Sequence, residues 1–460
     1  MRRICLTLPT NRPCADTLTA LGEEAAYAVR HFGDVEVRLL VLDSCADAAV
    51  RARHRDVLDH LPPHPRITVH HLDEAAQGDF LRAVVERSGT RKPELLLDLM
   101  LPDRVSYGAC TNRAFLVAAA LGCESVHRRD SDSRYQKADG RPVFPVHHEL
   151  RTLGRRAADA AAAVDETALT TAAQERQVAM VGASFVGALS VDIAEIKALD
   201  PDVYTDIVGL WAPGHWSAEQ RAELAAESFL GAGTEPFTHD RTLLTLVDPM
   251  RVDMCNIAFH GVHERVPLPP ATDTIGSDYF LIHLVHDAGL PGVLHNRDIV
   301  NFHTKERQTG AGFLAYQTRF AKFLLSMLYL HHVYERMAAA GDALLGHHDD
   351  GHSHGHGHGH SHGHGHSHGQ VRADLVADLV RESVQLDPAE NIRRLDVLDA
   401  SYRRLGGRYV EVADLLVARR ERLLHEARSD MADFALLTEE WGALVRAARV
   451  TPVHTAEPTR

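Results

Sequence analysis

The chain has no basic excess, no CxxC pair and no apolar run of membrane-spanning length, and each shortage excludes something. Against 49 Lys and Arg stand 63 Asp and Glu, for a formal net charge of −14. Neutralising nucleic-acid phosphates requires a basic face, so no nucleic-acid partner is expected. The six cysteines, Cys5, Cys14, Cys45, Cys110, Cys123 and Cys255, are scattered. That argues against a disulfide framework or a zinc knuckle and for a reducing, cytoplasmic compartment. The most apolar late run, Phe323 to Leu330, is far shorter than the roughly 20 residues of a bilayer-spanning helix. No long apolar stretch follows Arg2 and Arg3, so neither export nor a membrane partner is expected.

What the chain does have is length and apolar content. With 460 residues, 45% of them hydrophobic, it can bury a large core and a second unit. Its first third alternates buried strand-like runs, "RRICLTLP", "VEVRLLVLD" and "RITVHHLD", with helical stretches such as "TLTALGEEAAYAVRHF". This βαβ pattern predicts an α/β fold, a Rossmann-type mixed sheet that is mainly parallel in its first part and is flanked by helices. The middle, from about Gln174 to His303, is mixed. Beyond residue 310 the chain reads as almost wholly helical, which predicts a catalytic domain over 1–310 and a helical C-terminal unit over 311–345 and 371–450. That unit is the candidate surface for a homo-oligomer.

Histidine is abundant, at 32 residues, and concentrated in "GHHDDGHSHGHGHGHSHGHGHSHG", residues 346 to 369. Residues 346–370 carry no apolar side chains for a core and are expected to form a disordered loop. Imidazoles at every second position can converge on Zn²⁺ or Ni²⁺. A protein that only buffers metal through this loop is one reading of the chain, and a tolerated low-complexity insertion is the plainer one.

Chemistry is suggested elsewhere. "GCESVHRRDSDSRYQ", residues 122 to 136, ends a predicted strand in two carboxylates, Asp130 and Asp132. Side chains two apart on extended backbone share a side, and hard carboxylate oxygens suit Mg²⁺ or Mn²⁺. A solvated turn paired to Arg128 and Arg129 explains the same letters. Further along, Gly182 and Gly187 permit close backbone approach to a ligand, and Trp211 and Trp216 can stack on a ring. Gly182, Trp211 and Trp216 are therefore candidates for an acceptor site, as well as for turns and core.

The order of these features resembles the GT-A glycosyltransferases, which use nucleotide-sugar donors. The first strand runs into "LPTNRP", the second ends at Asp43, Asn112 and Arg113 open a helix, and Asp130-Ser131-Asp132 follows. In "DTIGSDYFLIHLVHDAGLPGVLHNRDIVNFH", Asp278 opens a helix and His303 closes the segment. The resemblance covers roughly residues 3 to 305. It implies donor contacts from Thr10, Asn11, Arg12, Asp43, Asn112, Arg113 and Asp130. It further implies a metal site of Asp130, Asp132 and His303, and Asp278 as base or acceptor-orienting group. The family's usual acidic pair is here Ser277-Asp278, so the base rests on one carboxylate. The resemblance thus implies a metal-dependent transfer from a nucleoside diphosphate sugar to a small acceptor. A nucleotidyltransferase, the rival enzyme class, usually opens with a Gly-rich loop and a Lys that "LPTNRPCAD" lacks. The Ala- and Arg-rich composition fits an actinobacterial natural-product enzyme. A narrower expectation is the type that joins an activated octose to the thiol of ergothioneine.

Overall fold

A computed structural model describes residues 1–188, 193–302, 309–346 and 370–454. Strands β1 (Arg2–Thr10), β2 (Val35–Asp43) and β3 (Ile67–Asp73) run parallel, and β4 (Ser125–Arg129) lies parallel on the other side of β1. Strands β1 and β2 are apolar along most of their length because both sheet faces are covered. Helices α1 (Ala15–His31) and α2 (Ala48–Asp59) return the chain between parallel partners, as such connections must.

Short strands complete the chain order: β5 (Ser133–Tyr135), β6 (Glu166–Ala168), β7 (Met180–Gly182), β8 (Phe185–Gly187), β9 (Thr242–Thr245), β10 (Asn256–His260), β11 (Gly292–His295) and β12 (Ile299–Asn301). The main sheet is nine-stranded and mixed, in the order β3-β2-β1-β4-β10-β7-β11-β9-β6. Strand β10 is antiparallel to β4, with Asn256 opposite Arg129. Residues just before β10 therefore meet the carboxyl ends of β1, β2 and β4 at one edge. A small sheet, β8-β12-β5, stands beside that edge. It pairs Asn301 with Ser133, directly after the two carboxylates.

Helix α3 (Tyr107–Ala120) begins at Ser106, whose hydroxyl accepts from the Ala109 amide, the usual N-cap bond. Gly108 lets this helix touch the chain at Pro269, whose carbonyl oxygen would lie 1.9 Å from any added Cβ. Helix α4 (Phe280–Asp287) precedes the long α5 (Gly310–Ala340), and α6 (Ala373–Ser383), α7 (Ala389–Leu405), α8 (Tyr409–Ala418) and α9 (Arg420–Ala448) follow. The C-terminal helices continue the core of the sheet region. Phe434 meets Phe280 edge-on at 4.7 Å, and the fully buried Trp441 donates its indole N–H to the His263 carbonyl at 2.9 Å.

The expected His-rich loop falls on residues 347–369, outside the described residues. At its base, Leu345–Gly346 pairs antiparallel with Gln370–Val371. Among the described residues no helix is long and apolar enough to cross a membrane.

Candidate functional site

Strand alternation sorts the charge cluster of "VHRRDSD" into two sets. His127 and Arg129 point to one face, where they enter a closed network with no solvent. Arg129 pairs with Glu24 at 2.7 Å and Glu149 at 3.0 Å, and His127 Nδ1 lies 2.7 Å from Glu149. Tyr135 donates its hydroxyl to Glu24. These groups neutralise one another inside the fold.

Arg128 and Asp130 face the other way, into a cleft of about 690 Å³ at the sheet's carboxyl edge, where open α/β sheets place ligands. The Arg128 guanidinium is buried, and its Nη2 sits 3.2 Å from Asp130 and 3.3 Å from Asp278. Its Nη1 donates to the Met254 carbonyl at 2.6 Å. One cation thus ties the strand-end carboxylate to a second one across the cleft. Asp132 pairs with Arg12 at 3.0 Å. Both strand-end carboxylates keep solvent access, with side chains 30% and 16% exposed. A hard divalent cation is the group such a donor set would take.

Asp278 lies in the turn Ser277–Tyr279 ahead of α4, after Gly276 in the left-handed region at φ 70°. A side chain at position 276 would strike the Phe323 ring at 2.7 Å. Burial pushes the Asp278 carboxyl up to about 6; Arg128 opposes the rise, and Asp130 and Asp253 add to it. Tyr279 donates its hydroxyl to Asp253, and burial followed by the Asp253 charge holds that phenol well above its ordinary range.

The opposite wall is aromatic. Trp211 stacks on Phe229 at 5.0 Å and meets Phe323 at 5.8 Å, and His283 stacks on Tyr334 at 3.7 Å. Burial lowers His283 to about 3, so this imidazole is neutral. Helix α5 supplies Tyr316, Arg319, Phe323, Met327 and Tyr334 to the cleft. Their spacing of three, four and seven places them on one helix face.

Of the residues expected from the sequence, Thr10, Asn11, Arg12, Arg113, Asp130, Asp132, Asp278 and Trp211 line this one cleft. Part of Arg113 is already engaged, since its Nη1 donates to the Met100 carbonyl at 3.1 Å. Four expectations are corrected. Asn112 is fully buried and exchanges two 2.8 Å hydrogen bonds with the Leu268 backbone, fixing the segment beside Pro269. Asp43 is fully buried and bonded to His54, His71 and the Cys45 amide, so its neighbours Leu42 and Ser44 line the cleft in its place. Gly182 lies inside the sheet in β7, packed against Ile257 and Val252. Trp216 stands outside the cleft, beside Arg221, which donates to its carbonyl. His303 lies outside the described residues; Phe302, just before it, donates its amide to the Asp132 carbonyl at 3.4 Å.

Three features of the cleft escaped the sequence reading: the inward-facing Arg128, the Asp253–Tyr279 pair, and the aromatic face of α5. Alternation along β4 was the available signal for the first. The stripe in "YQTRFAKFLLSMLYLHHVY" was the signal for the last, although such a stripe reads equally well as core.

The chain belongs to DUF6271, a family of unknown function, whose profile matches residues 2–355 and 361–457. No curated protein matches it.

Proposed function

We propose that the chain is a GT-A-type glycosyltransferase that moves a sugar from a nucleoside diphosphate donor to a small acceptor. The observation that carries this reading is the pair Asp130 and Asp132 at the end of a central strand, both open to a cleft, with Asp130 tied through Arg128 to the buried carboxylate Asp278. The antiparallel β10 beside β4, and the small sheet that takes up the chain after Asp132, hold this strand end at the edge of the cleft.

Asp130 and Asp132 would hold Mg²⁺ or Mn²⁺, which supplies charge neutralisation for the departing diphosphate. Arg12 pairs with Asp132 in the free chain, and its planar fork matches phosphate oxygens once the carboxylate is engaged elsewhere. Asp278 takes the acceptor's proton. A carboxyl near 6 is mostly ionised at neutral pH yet more basic than an exposed aspartate, as suits a general base. Strong stacking along α5 positions the acceptor and keeps water from the reacting carbon. A thiol acceptor such as ergothioneine is the narrower form of the proposal. Its flat ring and trimethylammonium group match an aromatic wall flanked by Asp253 and Asp278.

A screen of nucleoside diphosphates for thermal stabilisation, with and without Mn²⁺, tests the reading. One nucleotide should raise the melting temperature only with Mn²⁺, with about 2.7 kcal/mol of added stability at a hundredfold excess over Kd. The effect should vanish in Asp132→Ala. No stabilisation by any nucleotide, or stabilisation independent of both metal and Asp132, contradicts the proposal.

A further inference from the structure

The cysteines that form no sequence motif do converge in space. Asp43 ends β2 and Cys45 stands two residues beyond it, His54 lies on α2, His71 lies on β3, and Cys14 is the residue before α1. The donor atoms of Asp43, Cys45 and His54 all lie within 4.8 Å of one another, and all three residues are buried. Asp43 Oδ2 is 2.9 Å from His54 Nδ1 and 3.0 Å from His71 Nε2. Cys14 Sγ is 3.6 Å from His54 Nε2, which also accepts the Cys14 amide at 3.1 Å. Three donors, from Asp43, Cys45 and His54, thus converge at one buried point, with His71 held on the Asp43 oxygen and Cys14 on the far nitrogen of His54.

We propose that Asp43, Cys45, His54 and His71 form a structural zinc site. Mixed carboxylate, thiolate and imidazole donors in a four-coordinate set are what Zn²⁺ takes. Adjacent donors around such an ion stand about 3.2–3.8 Å apart, given metal–nitrogen and metal–sulfur lengths of about 2.0 and 2.3 Å. The present oxygen-to-nitrogen distances are a few tenths shorter, so a small outward shift of the carboxylate opens the seat. Charge favours the ion. Zn²⁺ with the Asp43 carboxylate and a Cys45 thiolate is neutral, so the filled site leaves no net charge buried. Binding releases the Cys45 thiol proton to solvent. His54 gives its Nδ1 lone pair to the metal and its ring proton moves to Nε2, where it donates to Cys14 Sγ; the Cys14 amide gives up the bond it now makes to that nitrogen. The site pins the turns beneath Thr10, Arg12 and Ser44, which line the cleft. It takes no part in the proposed transfer, so it stands or falls independently of that reading.

The test is cobalt substitution in the full-length protein after chelator treatment. The His-rich tract also binds Co²⁺, but residues 346 to 369 contain no sulfur, so a thiolate-to-cobalt charge-transfer band in the near ultraviolet reports only a cysteine site. One equivalent of band-forming Co²⁺, displaced by Zn²⁺, is expected. The band should disappear in Cys45→Ser and persist in Cys123→Ser. His71→Gln should weaken the band-forming Co²⁺ affinity tenfold or more, and this variant decides the matter where Cys45→Ser fails to fold. No band in the wild-type protein, a band that survives Cys45→Ser, or unchanged affinity in His71→Gln overturns the proposal.

Discussion

The two walls of the cleft are built in opposite ways. One wall is made of strand ends: Thr10 to Arg12 after β1, Ser44 after β2, and Asp130 to Asp132 after β4. Its polar groups come in short runs and lie together because parallel strands end at the same edge. The other wall is built around one face of α5, whose contributing side chains are spread from Tyr316 to Tyr334, with Trp211 and Phe229 packed against it. The strand-end wall carries charge that can act on a donor; the helix wall carries stacking surface that can select an acceptor. Under the proposed function the two walls would divide donor chemistry from acceptor selection, and substitutions should separate the two effects.

The largest effect is expected from Asp132→Ala. It removes one of two cleft-facing strand-end carboxylates and should lower turnover about 10³-fold, with Mn²⁺-dependent donor affinity lost by calorimetry and the melting temperature little changed. Retained Mn²⁺-dependent affinity would take Asp132 out of the metal site.

Asp278→Asn should lower kcat by about 10²–10³-fold while donor affinity stays within a few-fold. In the wild-type protein the rate should fall as pH drops through about 6, because the base must be ionised and burial sets its titration there. The variant's residual rate should lack that acid limb. A group serving only the turn would leave the rate near wild type and change stability by about 1 kcal/mol at most.

Trp211→Ala acts on the other wall. It should raise the acceptor KM about tenfold and leave donor affinity unchanged, since losing one stacked ring costs about 1–2 kcal/mol. Equal losses for donor and acceptor would break the division between the walls. Excision of residues 347–369, joining Gly346 to Gln370, should change least. Those two residues already pair across the base of the tract, so rate and melting temperature should remain near wild type while Zn²⁺ and Ni²⁺ stoichiometry drops sharply.

The same contrast governs what could be read from sequence. The alternating strands and helices of the first third, and the helical run beyond residue 310, follow from local periodicity, and the mixed sheet flanked by helices agrees. Asp130, Asp132, Asp278 and Arg12 were legible because they stand at element ends, where polar residues have no packing reason to be. Asp43 also ends a strand and Asn112 was expected to open a helix that in fact begins five residues earlier, at Tyr107; the roles of both are decided by distant partners, His54 with His71 for the first and Leu268 for the second. Sequence spacing carries no trace of those contacts. Gly182 illustrates the converse: a glycine that permits close approach may be approached by core side chains instead of a ligand. The separateness of the C-terminal unit was over-read, because helical periodicity does not reveal that Phe434 and Trp441 pack on the sheet region.

The most direct test of the central claim is to incubate the protein with a panel of nucleotide sugars and candidate thiol and hydroxyl acceptors, and to identify the nucleotide product. The account predicts release of a nucleoside diphosphate from one donor, dependent on Mn²⁺ or Mg²⁺ and abolished in Asp132→Ala, with the sugar recovered on the acceptor. Release of a nucleoside triphosphate in the presence of pyrophosphate, or no turnover of any nucleotide sugar by protein that binds none of them, would contradict it.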